Sequence, residues 1–413
     1  MPSLDPQTIA LLRLTLVSGL GPILIGRLIQ HCGSPAAALQ APASTLQSIS
    51  GIGKERAARI RAQIDLSESR ANAELAEADR LGVNILSILD PAYPPLLRQI
   101  PDAPPILYLR GSIDPAAADQ YPVGIVGSRT CTHYGREQAS RFAMHLAQSG
   151  LCIVSGGARG IDTAAHHAAL AVRGRTIVVM GCGLSSIYPP ENADLFDLIA
   201  ASHGAIVSEL PLKTAPTPDN FPARNRIISG ISLGVIVVEA GRRSGALITA
   251  RQAVEEHGRD VFALPGRVDS AASEGTLDLL KAGGAALVTH PRDVLDALES
   301  SARHHFFDTH HAITRDPARD PQAQFDWRSL APTPDASPSS ATVSHPTRPA
   351  LDVGLSDRQR SILDALHEPR TIDELSTALG GDPASLRADI TMLEIKRRVS
   401  RAGSRIARTS VAG

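Results

Sequence analysis

Residues Tyr121–Asp162 read YPVGIVGSRTCTHYGREQASRFAMHLAQSGLCIVSGGARGID. The first apolar run, Val123-Gly124-Ile125-Val126, is rich in β-branched residues and too short for a surface helix, which predicts a buried strand. It ends in Gly127-Ser128-Arg129. Helical spacing follows from about Tyr134 to Gln148. A second apolar run, Leu151 to Val154, then ends in Ser155-Gly156-Gly157-Ala158-Arg159-Gly160. Strand, helix, strand is the repeating unit of a parallel sheet. Both strands end in turns of glycine, serine and arginine. In such turns backbone N–H groups and a helix N-terminus face an anion, and a guanidinium clamps it.

Downstream the alternation continues to about residue 298. Strands are predicted at Thr176–Met180, Ala205–Val207, Val235–Val238, Val261–Leu264 and Ala286–Val288. Helices are predicted at Thr163–Val172, Ala193–Ala201, Arg224–Ser232, Gly245–His257 and Gly275–Ala282. The regular spacing implies an α/β fold, an extended Rossmann-like and mostly parallel sheet with helices on both faces. Upstream, a helix is expected over Leu66–Leu81 and a strand over Val83–Leu89. Proline-dense turns and a short strand, Ile106–Arg110, follow.

Residues 1–65 are helical in pattern and broken by two similar turns, Gly19-Leu20-Gly21 and Gly51-Ile52-Gly53. Glycine-apolar-glycine between helices resembles a helix-hairpin-helix (SAM-like) element. The sequence leaves open whether these turns contact phosphate or only pack. Residues 66–300 form the sheet core, and 301–354 are expected to be a disordered linker rich in Pro, Ser and Thr. His304, His305, His310 and His311 fall in that linker without a metal-binding framework. In residues 355–413 three helices and a hairpin over Val399–Arg408 are expected, a winged-helix-like order. Thr371 is placed as an N-cap, with Glu374 at the capping-box position. From Arg387 onward Arg387, Lys396, Arg397, Arg398, Arg401, Arg405 and Arg408, against only Asp389 and Glu394, give this tail a basic face for DNA or for a protein partner.

Composition narrows the function. The 413 residues suffice for two or more domains. Aromatics are only 3%, so the cores must be built from Ala, Leu, Ile and Val. A net charge of -1 gives no global basic field, so any nucleic-acid role needs local clusters. The four cysteines are scattered, without a CxxC pair, which argues against a zinc site and for a reducing compartment. No apolar run reaches membrane-spanning length and no basic-then-apolar leader opens the sequence, so a cytoplasmic protein without a membrane partner is expected.

Ligands of such sheets bind outside the strand C-ends. Gly127-Ser128-Arg129 is not GxGxxG, and the second strand ends in donors and a cation where NAD would need a carboxylate. No Walker motif occurs. The later strand ends carry Gly181-Cys182-Gly183, then Phe221-Pro222-Ala223-Arg224-Asn225-Arg226, then Glu239-Ala240-Gly241 with Ser244-Gly245 and Thr249 at a helix start. One small phosphate ligand needs one such cradle, whereas a row of cradles suits a polynucleotide backbone, with Phe221 able to stack on a base. The blander possibility is that the glycines only turn the chain and the arginines pair with Asp162 or Glu239. Asp162 is expected to N-cap the helix beginning at Thr163. His166 and His167 have no Ser or Cys nucleophile in register, so no catalytic, metal or cofactor residue is assigned.

The runs GSR (127–129), SGGARGID (155–162), IYPPEN (187–192), SELP (208–211), FPARNRIISGIS (221–232), EAGRRSGALITAR (239–251) and GRDVFALPGR (258–267) resemble the signature of the DNA-processing protein A (DprA/Smf) family. DPAYPPLLRQIPDAPPILYLRG (90–111) is also similar to it. The resemblance implies a non-enzymatic single-stranded DNA-binding protein that protects incoming DNA and loads RecA recombinase in natural transformation. It further implies a homodimer formed through the Rossmann-like domain, and no cofactor. Carried over by motif, the DNA-binding residues are Gly127, Ser128, Arg129, Gly156, Gly157, Arg159, Phe221, Arg224, Asn225, Arg226, Ser244, Gly245 and Thr249. Two departures stand out: no lysine lies between Thr214 and Asn220, and Gly275-Thr276-Leu277 lacks the family's usual asparagine. The competing reading is a nucleotide-processing enzyme, such as a phosphoribohydrolase. That reading lacks its glutamate after both Pro265-Gly266-Arg267 and Ser244-Gly245-Ala246.

Overall fold

A computed structural model describes residues 4–305 and, near the C-terminus, 357–366, 370–371, 374–375, 390, 399–402 and 405–408. The chain divides into a unit of residues 1–333 and a unit of residues 334–413.

The first unit opens with five helices. Asp5 starts α1 (Pro6–Thr15) by accepting the N–H groups of Gln7 and Thr8. Helix α2 (Pro22–Cys32) begins at Gly21 and stops at Gly33, whose φ of 87° suits glycine. Two short helices follow, α3 (Pro35–Gln40) and α4 (Ala43–Ser48). Helix α5 (Lys54–Leu81) is 28 residues long and ends at Gly82. It contains neither glycine nor proline, so the two helices expected on either side of residue 65 are one rod, about 42 Å long.

Nine strands then form one sheet. They are β1 (Asn84–Ser87), β2 (Ile106–Gly111), β3 (Pro122–Val126), β4 (Cys152–Ser155), β5 (Thr176–Val179), β6 (Gly204–Ser208), β7 (Gly234–Val237), β8 (Asp260–Ala263) and β9 (Ala286–Leu287). The spatial order is β1-β2-β6-β5-β4-β3-β7-β8-β9. Pairings from β6 through β9 are parallel, and β1 and β2 form an antiparallel edge. Every residue of β3, β4, β5, β6 and β7 is buried, as strands covered on both faces require.

The helices are α6 (Pro95–Arg98), α7 (His133–Gln148), α8 (Ile161–Ala171), α9 (Ala193–Leu198), α10 (Asn220–Ile231), α11 (Gly245–Glu255), α12 (Glu274–Lys281) and α13 (Pro291–His305). On one face, Val123, Ile125, Ile153 and Ile236 pack with Phe142 of α7, Ala165 of α8 and Leu298 of α13. On the other, Val126, Val179, Val207 and Val237 meet Ile227 and Ile231 of α10 and Ala250 of α11. A third cluster joins Val178, Met180, Phe196 and Ile206 to Leu11, Leu28 and Ile64, so the N-terminal helices share a core with the sheet. Helix α13 runs to His305, past the residue where the linker was expected to start.

In the second unit, α14 (Asp357–Ala365) precedes a three-stranded sheet of β10 (Arg370–Thr371), β11 (Val399–Ala402) and β12 (Arg405–Arg408), ordered β10-β12-β11. The expected hairpin is β11–β12. Thr371, expected as an N-cap, lies instead in β10, while Glu374 and Leu375 are helical. Ile362, Leu366, Leu375, Ile390, Val399 and Ile406 form a small core. The linker over 306–354, with His310 and His311, lies outside the described residues, as do Arg387, Lys396, Arg397 and Arg398.

Candidate nucleic-acid interface

From β3 the chain winds one way across β4, β5 and β6, then returns to place β7 on the opposite side of β3. The strand order therefore reverses between β3 and β7, and a crevice opens there at the C-ends. A cleft of about 760 Å³ occupies that crevice. Gly127–Arg129 line one side and Gly241–Thr249 the other, with Pro216, Pro218 and Phe221 above. The β3 turn is fixed to β7: the Ser128 N–H donates to the Glu239 carbonyl at 2.7 Å. The buried Glu239 carboxylate accepts the Thr132 N–H and hydroxyl, each at 2.7 Å. Gly160 has φ +78°, and a Cβ on it would lie 2.4 Å from the Ser128 carbonyl oxygen. Only glycine lets the β4 turn approach the β3 turn so closely. The Ser128 amide is thus spent on the scaffold. Toward the cleft this turn presents side chains, Ser128 and the exposed Arg129.

Two arginines flank two aromatic rings along one wall. The Arg129 guanidinium lies 4.9 Å from the Phe221 ring centroid. Phe221 lies 5.7 Å from Tyr188. Arg159 lies 5.9 Å from Tyr188. Both rings are half-buried, so each keeps an accessible edge. A smaller adjoining hollow is lined by Arg129, Gly156, Arg159, Tyr188 and Phe221. Among the described residues Arg129 makes no ion pair, and neither does Arg243, another exposed cation of the cleft wall. On the β7 side, Ser244 N-caps α11 by accepting the Ala246 N–H at 3.3 Å, which aims the helix N-terminus at the cleft. Asn225 donates to the Gly245 carbonyl at 3.2 Å, joining α10 to that helix start, and Thr249 sits on the cleft floor.

Asp162 is not the N-cap of α8; Gly160 is. Asp162 falls inside the first turn and points back to accept the Ala158 N–H at 3.2 Å. The amides of the β4 turn therefore face a carboxylate of the chain itself. Burial raises the Asp162 carboxyl to about 6, against the opposing pull of Arg224 and the hydrogen bonds from Ala158 and Ser155. Arg224 is 4% exposed, and burial pushes its guanidinium down to about 10. Its Nη1 donates to the carbonyls of Gly156, at 2.6 Å, and of Val179, tying the ends of β4 and β5 together under the cleft. His166 on α8 is buried against Thr176 at 2.7 Å. Burial drives its ring down to about 3, which keeps it neutral.

Two of the thirteen expected residues do not reach the cleft. Arg226 is held on the far side of α10 by Asp102, at 3.0 Å, and by Glu209. Gly157 has φ +64°, and a Cβ there would strike Val178 and Phe196, so it faces the core. Gly156 and Arg159 line the smaller hollow, and the other nine line the main cleft. The residue-level reading passed over Tyr188, Arg243, Ile248 and the two prolines, 216 and 218. Tyr188 carried a signal, since it is an aromatic beside prolines shortly after a strand end.

Residues 84–299 match the family model described as DNA recombination-mediator protein A. Residues 11–65 match a SAM-like helix-hairpin-helix tandem, and residues 345–404 match the DprA winged helix domain. Protein Smf of Synechocystis sp. is 43% identical over 279 residues, 66% of this chain and 68% of that protein. The DNA processing protein DprA of Streptococcus pneumoniae is 47% identical over 214 residues, 52% of this chain and 73% of that protein. The X-ray structure of DprA from Streptococcus pneumoniae superposes with a TM-score of 0.61 at 35% identity, covering 71% of this chain and 98% of that one.

Proposed function

Because the chain belongs to the DNA recombination-mediator protein A family, we propose that its switch-point cleft binds single-stranded DNA. One observation carries this reading: the wall in which Arg129, Phe221, Tyr188 and Arg159 follow one another. Guanidinium groups pair with phosphates, and half-buried rings receive unstacked bases, which a duplex does not offer. The carboxylates in and around the cleft are already engaged, which supports binding rather than hydrolysis. Asp162 faces the β4 turn, Glu239 faces Thr132, and Glu191 pairs with Arg159. The family resemblance extends the proposal to delivery of the strand to RecA recombinase, by a homodimer formed through the sheet domain, in a transformation or recombination setting in the cytoplasm.

The test is a salt titration of single- and double-stranded oligonucleotide binding by the intact chain and by residues 1–333. The expected result is tighter binding of the single strand, with an affinity that falls linearly in log-log form as salt rises. Equal affinity for duplex, or release of free base from nucleoside monophosphates, would move the protein to another class. RecA filament assembly on strand coated with a single-strand-binding protein, with and without this protein, tests the delivery step.

A further inference from the structure

Two carboxylates of the chain stand against donors that a phosphate would want, and they differ in exposure. Asp162 is 6% exposed and walled in by the β4 turn. Glu191 is in solvent: its side chain is 48% exposed and that of its partner Arg159 is 53% exposed. Arg159 meets Glu191 through both Nε and Nη2, the latter at 3.0 Å from Oε2. This is the two-pronged fit that a guanidinium gives equally to a carboxylate or a phosphate. The pairing is built in. Glu191 sits on the single turn Pro190–Asn192. The buried Asn192 anchors that turn by donating to the Gly157 carbonyl at 3.0 Å and to the Thr163 hydroxyl at 2.8 Å. The turn is therefore fastened to the same β4 loop that carries Arg159.

We propose that Glu191 is a displaceable internal anion that occupies the Arg159 fork in the free protein and competes with a strand phosphate for it. The proposal rests on the reading that the Arg129–Phe221–Tyr188–Arg159 wall holds a single strand. An exposed ion pair is weak enough to be exchanged, whereas the buried Asp162 is fixed. While Glu191 holds it, Arg159 presents no net charge to the strand, and the exposed cations left unpaired among the described cleft residues are Arg129 and Arg243. Glu191 thereby sets how far along the wall the strand is gripped and how steeply that grip depends on salt.

The experiment is a salt titration of a fluorescent oligothymidylate against the full chain and four variants: Glu191→Gln, Arg159→Ala, the double variant, and Asp194→Asn. The last removes an equal charge from a neighbouring exposed position. Glu191→Gln is expected to bind about two- to fivefold tighter at low salt, the strength of an exposed pair. Its salt slope should steepen by about 0.7, one more phosphate neutralised on a single strand. Arg159→Ala should weaken binding, because the wall loses a guanidinium and the Glu191 carboxylate is left unpaired beside the strand. The double variant should bind no tighter than the parent and with no steeper slope, and Asp194→Asn should leave the slope unchanged. The proposal is overturned if Glu191→Gln titrates like the parent, if its gain survives in the double variant, or if Asp194→Asn reproduces it. Absence of single-strand binding by the parent protein would instead overturn the proposed function, and that titration is read separately.

Discussion

Arg129 is the side chain on which the proposed attraction for phosphate most depends, because it is exposed, sits on a rigid turn and makes no ion pair among the described residues. Arg129→Ala is expected to weaken binding to all sequences alike and to reduce the salt slope by about 0.7, measured by fluorescence anisotropy. Phe221→Leu keeps the bulk that fills the space beside Gly181 but removes the ring. A loss of about 1–3 kcal/mol is expected for the base that stacks there, and an undiminished affinity would remove Phe221 from the contact. Asp162 adds a pH dependence to stability. Burial raises its carboxyl from 3.8 to about 6, so the folded chain holds that proton more tightly than the unfolded chain does. The stability this contributes is present below the unfolded value and is lost as pH rises through the folded value. Between pH 3 and pH 7 the parent protein should lose about 3 kcal/mol relative to Asp162→Asn, with no further change above. Denaturant midpoints of both proteins across that range check it, and a pH-independent gap between them would contradict it. The sequence made Arg129 legible because a cation directly after a strand end has one place to go. It did not separate Arg224 from Arg226. Two residues along a helix differ by about 200°, so one arginine enters the β4–β5 seam while the other leaves on the opposite face. That spacing is itself a readable signal.

Helix α10 is fixed at both faces, and its far-side anchor sets where Phe221 stands. Arg226 bridges Asp102 and Glu209, with all three side chains at least three-quarters buried. Arg226→Ala strands two carboxylates in the interior, for a loss of about 3–5 kcal/mol that thermal melting would register. Burial already pushes Glu209 up while Arg226 holds it down. Removing the arginine raises the carboxyl further, so the variant's deficit should widen as pH rises from 5 to 8. Most elements were readable at this scale. The parallel strands are short runs of Val and Ile buried on both faces, and their helices begin close to where periodicity puts them. The continuity of α5 was missed, although the absence of glycine and proline from Lys54 to Leu81 permits it. The N-cap expected at Asp162 does not form, because the helix starts two residues earlier and the residue sits inside the first turn, where its carboxylate bends back toward Ala158.

The N-terminal helices and the sheet share one apolar cluster, which spans the boundary that the helical pattern suggests near residue 65. Residues 84–333, without those helices, would expose Val178, Met180, Phe196 and Ile206. They should bind a hydrophobic dye and aggregate, whereas residues 1–333 should stay monodisperse in gel filtration. Glu74 of α5 also accepts the Leu212 N–H at 2.5 Å, so the rod is pinned to the loop that continues toward Pro216 and Pro218. Sequence periodicity could not show this coupling, since it joins positions far apart in the chain. The strand order carries one more consequence, about time. β3 sits in the middle of the sheet, yet its partner β7 follows more than 100 residues later. At about 5–20 residues per second of synthesis, β3 waits several seconds or more with one edge bare. The crevice proposed to bind the strand lies on that late seam, so it comes into being only when the two ends of a long delay meet, and a chain stalled before β7 would carry an open edge and no crevice.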